Sequence, residues 1–235
     1  MRGVQGSFVF RSWGGRRVGA GRPAASPRRP VPHRRRGRHD RHTPVHVTLR
    51  AAPGIPSLRC ARAFASVREA LGCESGAGFR LLQWSVQADH VHLLVEADSA
   101  ARLVRGCQGL ALRLAKAVNR VLGRRGAVWG DRYHARPLRT PREVRAALVY
   151  VLQNWFKHVR GAHGVDPMSS AVWFDGWRVA PPRPVGAVPV RAPRTWLARV
   201  GWLRHGRVDT SEGPRRRPHA LAVSGRMNRR APGTV

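Results

Sequence analysis

The order of strand-like and helix-like segments between residues 44 and 159 restricts the fold of this chain more than any other feature. Alternating apolar residues predict strands, and apolar residues spaced three and four apart predict helices. The strands are predicted at 44–50, 79–86, 90–96 and 131–138, and the helices at 57–72, 99–122 and 141–159. The first six segments then have a ferredoxin-like α+β topology, an antiparallel sheet with helices on one face. The other face or an edge of such a sheet can carry a functional site.

The predicted helices begin at residues that favour helix starts. Ser57 and Ser99 precede the first two helices, and Thr140 followed by Pro141 precedes the third. A hydroxyl at the N-cap accepts a hydrogen bond from a free backbone N–H, and proline is favoured at the first helical position. We therefore expect the three helices to start at these positions.

Composition divides the chain into three parts. Residues 1–43 are rich in Arg, Gly and Pro and offer little to bury, so they are predicted to be a disordered basic arm that adds non-specific phosphate contacts. Residues 44–162 are predicted to fold as one domain. Residues 163–235 form an extension, predicted to be partly disordered from Gly213 onward. Its tryptophans are typical of short packing segments: Trp173, Trp177, Trp196 and Trp202.

The chain has a formal net charge of +32 at pH 7, from 44 basic and 12 acidic residues. Such a charge favours binding to a polyanion, most plausibly nucleic acid. Codon usage in a GC-rich genome is an alternative source of the positive charge, because Lys116 and Lys157 are the only lysines. Codon usage does not account for the scarcity of acidic residues, so nucleic acid stays the expected partner.

Cysteine usage and hydropathy indicate the cellular compartment. Cys60, Cys73 and Cys107 are too scattered for a disulfide framework or a cysteine-based zinc site. The N-terminal sequence lacks the apolar stretch of a signal peptide, and no apolar run is long enough to cross a membrane. We therefore expect a cytoplasmic protein without a membrane partner.

The third predicted strand carries two histidines one residue apart, in the sequence VQADHVHLLVE. His90 and His92 share one face of the strand, and the valines and leucine that alternate with them fill the other face. Two imidazoles about 7 Å apart along a strand can bind one metal ion. The alternative is a chance pair of structural histidines, and this strand alone does not decide between the two.

The third predicted helix places Tyr150 and Asn154 together on one shoulder of its apolar stripe, four residues apart. A phenol and an amide would there project side by side toward the sheet. The alternative is an ordinary amphipathic tyrosine with a polar neighbour, and the pair by itself is a weak signal.

Taken together, these segments resemble a known family. The matching motifs are HVTLR on the first strand, ADHVHLLVE on the third, VWGDRYHARPL before the last helix and ALVYVLQNWFKH on it. The set resembles the HUH single-tyrosine transposases of small insertion sequences, especially their REP-associated branch, over residues 44–160. Two positions depart from the family pattern. Asp89 stands where asparagine is usual before the first histidine, and Trp155 follows Asn154 where proline is common.

The resemblance implies a HUH transposase catalytic domain at 44–162, in a bacterial protein that acts on single-stranded DNA, with hairpin ends as substrate. It implies that Tyr150 is the nucleophile, which forms a 5′-phosphotyrosine link and frees a 3′-hydroxyl. His90, His92 and Asn154 would hold a divalent metal ion, Mg²⁺ or Mn²⁺. The family includes both exchanged dimers and monomers, so a homodimer stays open.

Further residues near these segments have side chains suited to DNA. Cations that would follow the phosphates are Arg132, Arg136, Arg139 and Lys157, and Trp129 would stack on a base. Each also has a structural explanation, a solvated surface for a cation and packing for the tryptophan. Two other functions stay open: a nucleic-acid-binding protein without catalysis, and a metal-dependent phosphodiesterase that uses water while Tyr150 only positions the substrate.

Overall fold

The computed structural model describes residues 38–73, 76–157, 159, 161, 163–186 and 188–214. The strands are β1 (Val45–Arg50), β2 (Phe79–Val86), β3 (His90–Ala97) and β4 (His134–Pro137). The helices are α1 (Ala61–Gly72), α2 (Ala100–Val121), α3 (Pro141–Leu152) and the short α4 (Trp196–Arg199). Short 3-10 helices lie at Asn154–Lys157, Ala171–Trp173 and Gly201–His205. No described helix is both long enough and apolar enough to cross a membrane.

The strands form one antiparallel sheet in the order β2-β3-β1-β4. β1 lies between β3, with the register Val45↔Val95, and β4, with the register Val45↔Pro137. α1 connects β1 to β2, and α2 connects β3 to β4, so each helix links strands that are not neighbours in the sheet. This arrangement confirms the predicted ferredoxin-like α+β topology.

The two faces of the sheet bury different clusters of side chains. Val47 and Leu93 pack with α1 and α2 in the larger cluster. On the opposite face, Leu94 packs with Leu148 of α3 and with Trp202 of the C-terminal region. The sequence predicted helices on one face of the sheet, and α1 and α2 lie on one face. The structure differs in that α3 and the C-terminal segments cover the other face. That second face also carries the histidine pair.

Two of the three predicted helix starts are confirmed. The hydroxyl of Ser99 accepts a hydrogen bond from the backbone N–H of Arg102, and Thr140 accepts one from Glu143. The prediction of Ser57 as the N-cap of α1 is wrong, because α1 begins at Ala61. The buried Leu58 donates its N–H to the carbonyl of Ala88, which holds residues 57–60 in a turn rather than a helix.

The predicted end of α3 at residue 159 is also wrong, because the α-helix stops at Leu152. The buried Gln153 donates from Nε2 to the carbonyls of Gly164 and Thr210, at 3.3 and 2.7 Å. These tertiary contacts accompany a change to a 3-10 helix at Asn154. β4 is shorter than predicted as well, and starts at His134.

The C-terminal segments are tied to the sheet and to α3 by buried polar contacts. Glu96, fully buried on β3, accepts hydrogen bonds from the backbone N–H of Arg194 and from the N–H and hydroxyl of Thr195. Arg145 of α3 binds both carboxylate oxygens of Glu212, at 2.6 and 2.7 Å. Among the predicted packing tryptophans, Trp177 and Trp202 are buried, Trp173 is half-buried and Trp196 is exposed.

The predicted disordered arm lies outside the described residues except for 38–43. These six residues form a turn in which the hydroxyl of Thr43 donates to Asp40. The His39 Nε2 lies 2.8 Å from the carbonyl oxygen of Ala97, at the end of β3. The predicted disorder from Gly213 onward also falls outside the described residues beyond Pro214.

Two glycines of α2 give opposite expectations for stability. A Cβ at Gly106 would overlap the buried ring of Phe79, whereas a Cβ at Gly109 would meet only the end of Arg113, at 3.9 Å. We expect Gly106→Ala to lower the free energy of unfolding by about 1–3 kcal/mol through overpacking. Gly109→Ala should raise it by about 0.5–1 kcal/mol, because alanine favours the helix. Urea denaturation of the two variants measures both values, and equal shifts would contradict the packing of α2 on β2.

Candidate active site

The two histidines of β3 lie side by side on the face of the sheet that α3 covers. Both are buried, with 8% of His90 and 3% of His92 exposed. Their ring centroids are 4.5 Å apart, and the ring planes meet at 78°. The structure thus brings together the two histidines that the sequence pattern placed on one face.

Each of these histidines has its Nδ1 close to a neighbouring polar atom. The Nδ1 of His92 lies 3.1 Å from the hydroxyl oxygen of Thr48 and 3.2 Å from the Nε2 of His46. The Nδ1 of His90 lies 2.6 Å from the Oδ1 of Asp89. Because such contacts orient the ring of a metal-binding histidine through one nitrogen, Nε2 is the atom with which each could bind a metal ion.

His46 of β1 is a third histidine at this face, and the sequence patterns assigned it no role. Its ring centroid lies 5.2 Å from that of His92 and 5.6 Å from that of Tyr150. Burial lowers the pKa of His46 to about 4, with smaller contributions from neighbouring basic side chains, so this imidazole is neutral at pH 7. The sequence showed that His46 lies on a strand. It could not show that His46 lies opposite Leu94, because that depends on the register of β1 with β3.

Tyr150 of α3 contacts the histidines from the helical layer. Its half-buried ring lies 4.9 Å from that of His92, with an interplanar angle of 75°. The Nζ of Lys157 lies 4.3 Å from the centroid of the same ring. Partial burial lowers the pKa of the Lys157 ammonium from its usual value. A phenol, an ammonium group and the histidine pair therefore meet at one place.

The second tyrosine of the chain lies on the other side of the sheet. Tyr133 is 6% exposed and belongs to the cluster that packs with α1 and α2. A sheet separates its ring from the histidine pair. Of the two tyrosines, Tyr150 is the one in contact with His92.

Asn154 is fully buried, directly after the C-cap of α3. It starts the 3-10 helix, so the predicted pairing of Tyr150 and Asn154 on consecutive turns of one α-helix is wrong. Neither the nitrogen nor the oxygen of its side-chain amide has a hydrogen-bond partner among the described residues. A buried amide without a partner costs about 1–3 kcal/mol, which favours a ligand at this position.

By their chemistry, His90, His92 and Asn154 could hold a divalent metal ion. Two imidazole nitrogens and one amide oxygen suit Mn²⁺, and leave coordination positions for substrate oxygens that Mg²⁺ prefers. The buried amide of Asn154 supports the fit, since a metal ion would satisfy its oxygen. Within the described residues, no group of three or more His, Cys, Asp or Glu side chains is placed to hold a metal ion. A third protein ligand would therefore have to come from the amide of Asn154.

The three arginines that were predicted to contact DNA lie on or close to β4. Arg136 of β4 pairs with His46 in the sheet register and forms an ion pair with Glu143 at 2.8 Å. Arg139 is exposed nearby, and its backbone N–H donates to Glu143. The half-buried Arg132 precedes Tyr133, before β4 begins.

Trp129 is held by α2 instead of facing the histidine pair. Its indole N–H donates to the carbonyl of Ala111 at 2.8 Å, and its ring packs against the larger cluster. The structure therefore does not bring Trp129 to the candidate site, and base stacking by this residue stays a prediction.

Comparisons with known proteins address the same segment of the chain. Residues 67–154 match the family model described as "Transposase IS200 like". A solved structure of a REP-associated tyrosine transposase bound to a REP hairpin is similar at 17% sequence identity. It covers 60% of this chain and 82% of that chain, with a TM-score of 0.45. No curated protein has a significantly similar sequence. The segment 67–154, which contains the histidine pair, Tyr150 and Asn154, is thus similar to the IS200-like transposases.

Proposed function

We propose that this chain is a single-tyrosine transposase that cuts and rejoins single-stranded DNA through a covalent link to Tyr150. The observation that carries the proposal is the position of the Tyr150 ring, 4.9 Å from the ring of His92 and 4.3 Å from the Nζ of Lys157. The family match over residues 67–154 supports a DNA-directed reaction, and the net charge of +32 supports a polyanionic substrate.

The proposed first step exchanges one phosphodiester bond for another. The Tyr150 oxygen forms a bond to phosphorus while the bond from phosphorus to the 3′ oxygen of the preceding nucleotide breaks. The phenol gives up its proton, and the released 3′ oxygen takes one up, which leaves a 5′-phosphotyrosine and a free 3′-hydroxyl. Attack by a 3′-hydroxyl on the phosphotyrosine reverses the step at a new junction, so no nucleotide cofactor is required.

The side chains around Tyr150 have distinct proposed tasks. Lys157 stabilises negative charge on the bound phosphate, because its ammonium lies over the Tyr150 ring. His90, His92 and Asn154 hold the divalent ion, Mg²⁺ or Mn²⁺, which when bound would polarise the phosphate and offset its developing charge. Thr48 and Asp89 orient the two imidazoles through their Nδ1 atoms.

The proposed substrates are hairpin ends of single-stranded DNA, as implied by the motifs that resemble the REP-associated branch. A DNA hairpin with a single-stranded flank, labelled at its 3′ end and incubated with the protein and Mn²⁺, tests the proposal on a denaturing gel. We expect a labelled band at the mass of the protein plus DNA, and its loss with EDTA. Shortened DNA without that band would instead indicate hydrolysis by water. Intact DNA that still shifts on a native gel would indicate a binding protein without catalysis.

A further inference from the structure

His46 contacts both the histidine pair and the proposed nucleophile. Its Nε2 lies 3.2 Å from the Nδ1 of His92. Its ring centroid lies 5.2 Å from that of His92 and 5.6 Å from that of Tyr150, and the last two centroids are 4.9 Å apart. The three rings come from three separate elements, β1, β3 and α3. A change at His46 can therefore alter the positions of both His92 and Tyr150.

The backbone of His46 is held on both sides. β1 is an interior strand, and His46 lies opposite Leu94 of β3 and Arg136 of β4. The hydrogen bonds of two ladders restrict the movement of such a strand. A side chain on a rigid strand holds its neighbours more precisely than a side chain on a loop does. His46 is thus placed to fix the side chains that it contacts.

The contact of His46 with His92 adds to the contact that Thr48 makes. The Thr48 hydroxyl oxygen lies 3.1 Å from the same Nδ1. A hydroxyl group rotates about its C–O bond and can either donate or accept a hydrogen bond. The Nε2 of His46 is instead part of a planar ring, so its direction changes only if the whole ring moves. His46 therefore restricts the orientation of the His92 ring more than Thr48 alone can.

The contact of His46 with Tyr150 is of a different kind, because it involves the rings. The two ring planes meet at 67°, an edge-to-face arrangement that aromatic rings favour. His92 contacts the same tyrosine ring at 75°, and the Nζ of Lys157 lies 4.3 Å from its centroid. The His46 ring thus limits where the Tyr150 ring can lie, and this effect depends on its size and shape.

His46 is placed to act through His92 rather than as a metal ligand itself. Within the part of the chain that the structure describes, no three histidine, cysteine or acidic side chains are arranged to hold one metal ion, and this includes His46 with the histidine pair. Its Nε2 is directed at a ring nitrogen of His92. The alternative is a histidine that only packs, and such a residue would affect metal binding and catalysis in parallel.

We propose that His46 is a positioning residue with two separable tasks. Its Nε2 fixes the orientation of the His92 ring through Nδ1, in the way that outer partners orient metal-binding histidines. Its ring fixes the Tyr150 ring beside His92, so that the phenol oxygen meets the phosphate in one orientation. This inference rests on the proposed function, and it adds a residue that acts through the nucleophile and through one proposed ligand.

Two substitutions of His46 separate these tasks. His46→Phe keeps a ring of similar size and removes Nε2. His46→Gln removes the ring and keeps a side-chain amide that can form a hydrogen bond with the Nδ1 of His92. The control is His134→Phe, the same change at an exposed histidine of β4. Thermal melting followed by circular dichroism confirms that each variant folds.

The affinity for Mn²⁺ reports on the first task. It is measured by calorimetry without DNA. His46→Phe should bind Mn²⁺ about 10–100-fold more weakly than the control, which is the usual effect of removing an outer partner of a metal-binding histidine. His46→Gln should keep most of the affinity, because its amide replaces the lost hydrogen-bonding atom.

The rate of adduct formation at saturating Mn²⁺ and DNA reports on the second task, and the order of the variants should reverse. His46→Gln should react at least about tenfold more slowly than the control, because the Tyr150 ring has lost a neighbour that positions it. His46→Phe should react at nearly the rate of the control, since its ring still contacts Tyr150.

NMR spectra of the metal-free protein test the contact with His92 directly. Long-range ¹H–¹⁵N spectra show which ring nitrogen of His92 carries the hydrogen, and the His92→Ala protein identifies the signal. The unchanged protein and His46→Gln should show mainly one form. His46→Phe should show a mixture of the two forms, because one of the two groups that hold Nδ1 is gone.

Equal losses of Mn²⁺ affinity and of rate in both His46 variants would overturn the inference and indicate a histidine that only packs. An unchanged His92 signal in His46→Phe would overturn it as well. The adduct assay with the unchanged protein reports on the proposed function separately. A missing adduct together with the expected NMR and calorimetry results would refute the transposase chemistry and retain the role of His46 toward His92.

Discussion

Replacing Tyr150 with phenylalanine is expected to abolish the covalent protein–DNA adduct. The substitution removes one oxygen atom and keeps the ring that contacts His46 and His92. Without a nucleophile at this position the rate of adduct formation should fall by at least about four orders of magnitude. Because Tyr150 is half-buried and its ring stays, binding of the DNA hairpin should change little. Denaturing gels report the adduct, and anisotropy reports the binding.

Tyr133→Phe is the matched control for this experiment. It makes the same chemical change to the only other tyrosine of the chain, which lies in the core on the opposite face of the sheet. The Tyr133→Phe protein should keep the adduct. An adduct that persists in Tyr150→Phe and disappears in Tyr133→Phe would show that the nucleophile has been assigned to the wrong face of the sheet.

Replacing both His90 and His92 with alanine is expected to abolish metal binding and strand cleavage. The two imidazoles supply two of the three proposed protein ligands, so the affinity for Mn²⁺, measured by calorimetry without DNA, should fall below detection. Cleavage should drop by about three orders of magnitude or more, because the proposed ion would contribute several kcal/mol of charge stabilisation. Both histidines are buried, so the double variant should also lose about 2–5 kcal/mol of stability, to be followed by thermal melting.

The His134→Ala variant is the control for this experiment, because it removes a histidine that is not a proposed metal ligand. His134 is exposed on β4 and pairs with Thr48 in the sheet register, on the same face as His92. The His134→Ala protein should bind Mn²⁺ and cut DNA as the unchanged protein does. If the double alanine variant binds Mn²⁺ normally while folded, the histidine pair is structural and the metal hypothesis fails.

The strands and the first two helices were predictable because local patterns determine them. Alternation in β2 and β3 gave the correct elements, and the same alternation placed His90 and His92 on one face. Ser99 caps α2 through a contact only three residues away, which a reader of the sequence can anticipate.

The features that could not be predicted depend on residues distant in sequence. α3 ends at Leu152 where Gln153 contacts the carbonyls of Gly164 and Thr210, and no local signal marks that position. His46 reaches His92 across 46 residues, through the register of two strands. The sequence motifs and the family resemblance pointed to the proposed metal ligands and the proposed nucleophile, whereas their surroundings required the tertiary structure.

The contacts that hold the end of α3 come from residues that are synthesised long after it. Gln153 binds Thr210, 57 residues downstream, and Arg145 binds Glu212, 67 residues downstream. At a translation rate of about 5–20 residues per second, roughly 3–11 s separate the synthesis of Gln153 from that of its partner. During this interval the segment with Tyr150 exists without the contacts that terminate its helix. The end of α3 can therefore reach the form seen here only after the C-terminal segments have been synthesised.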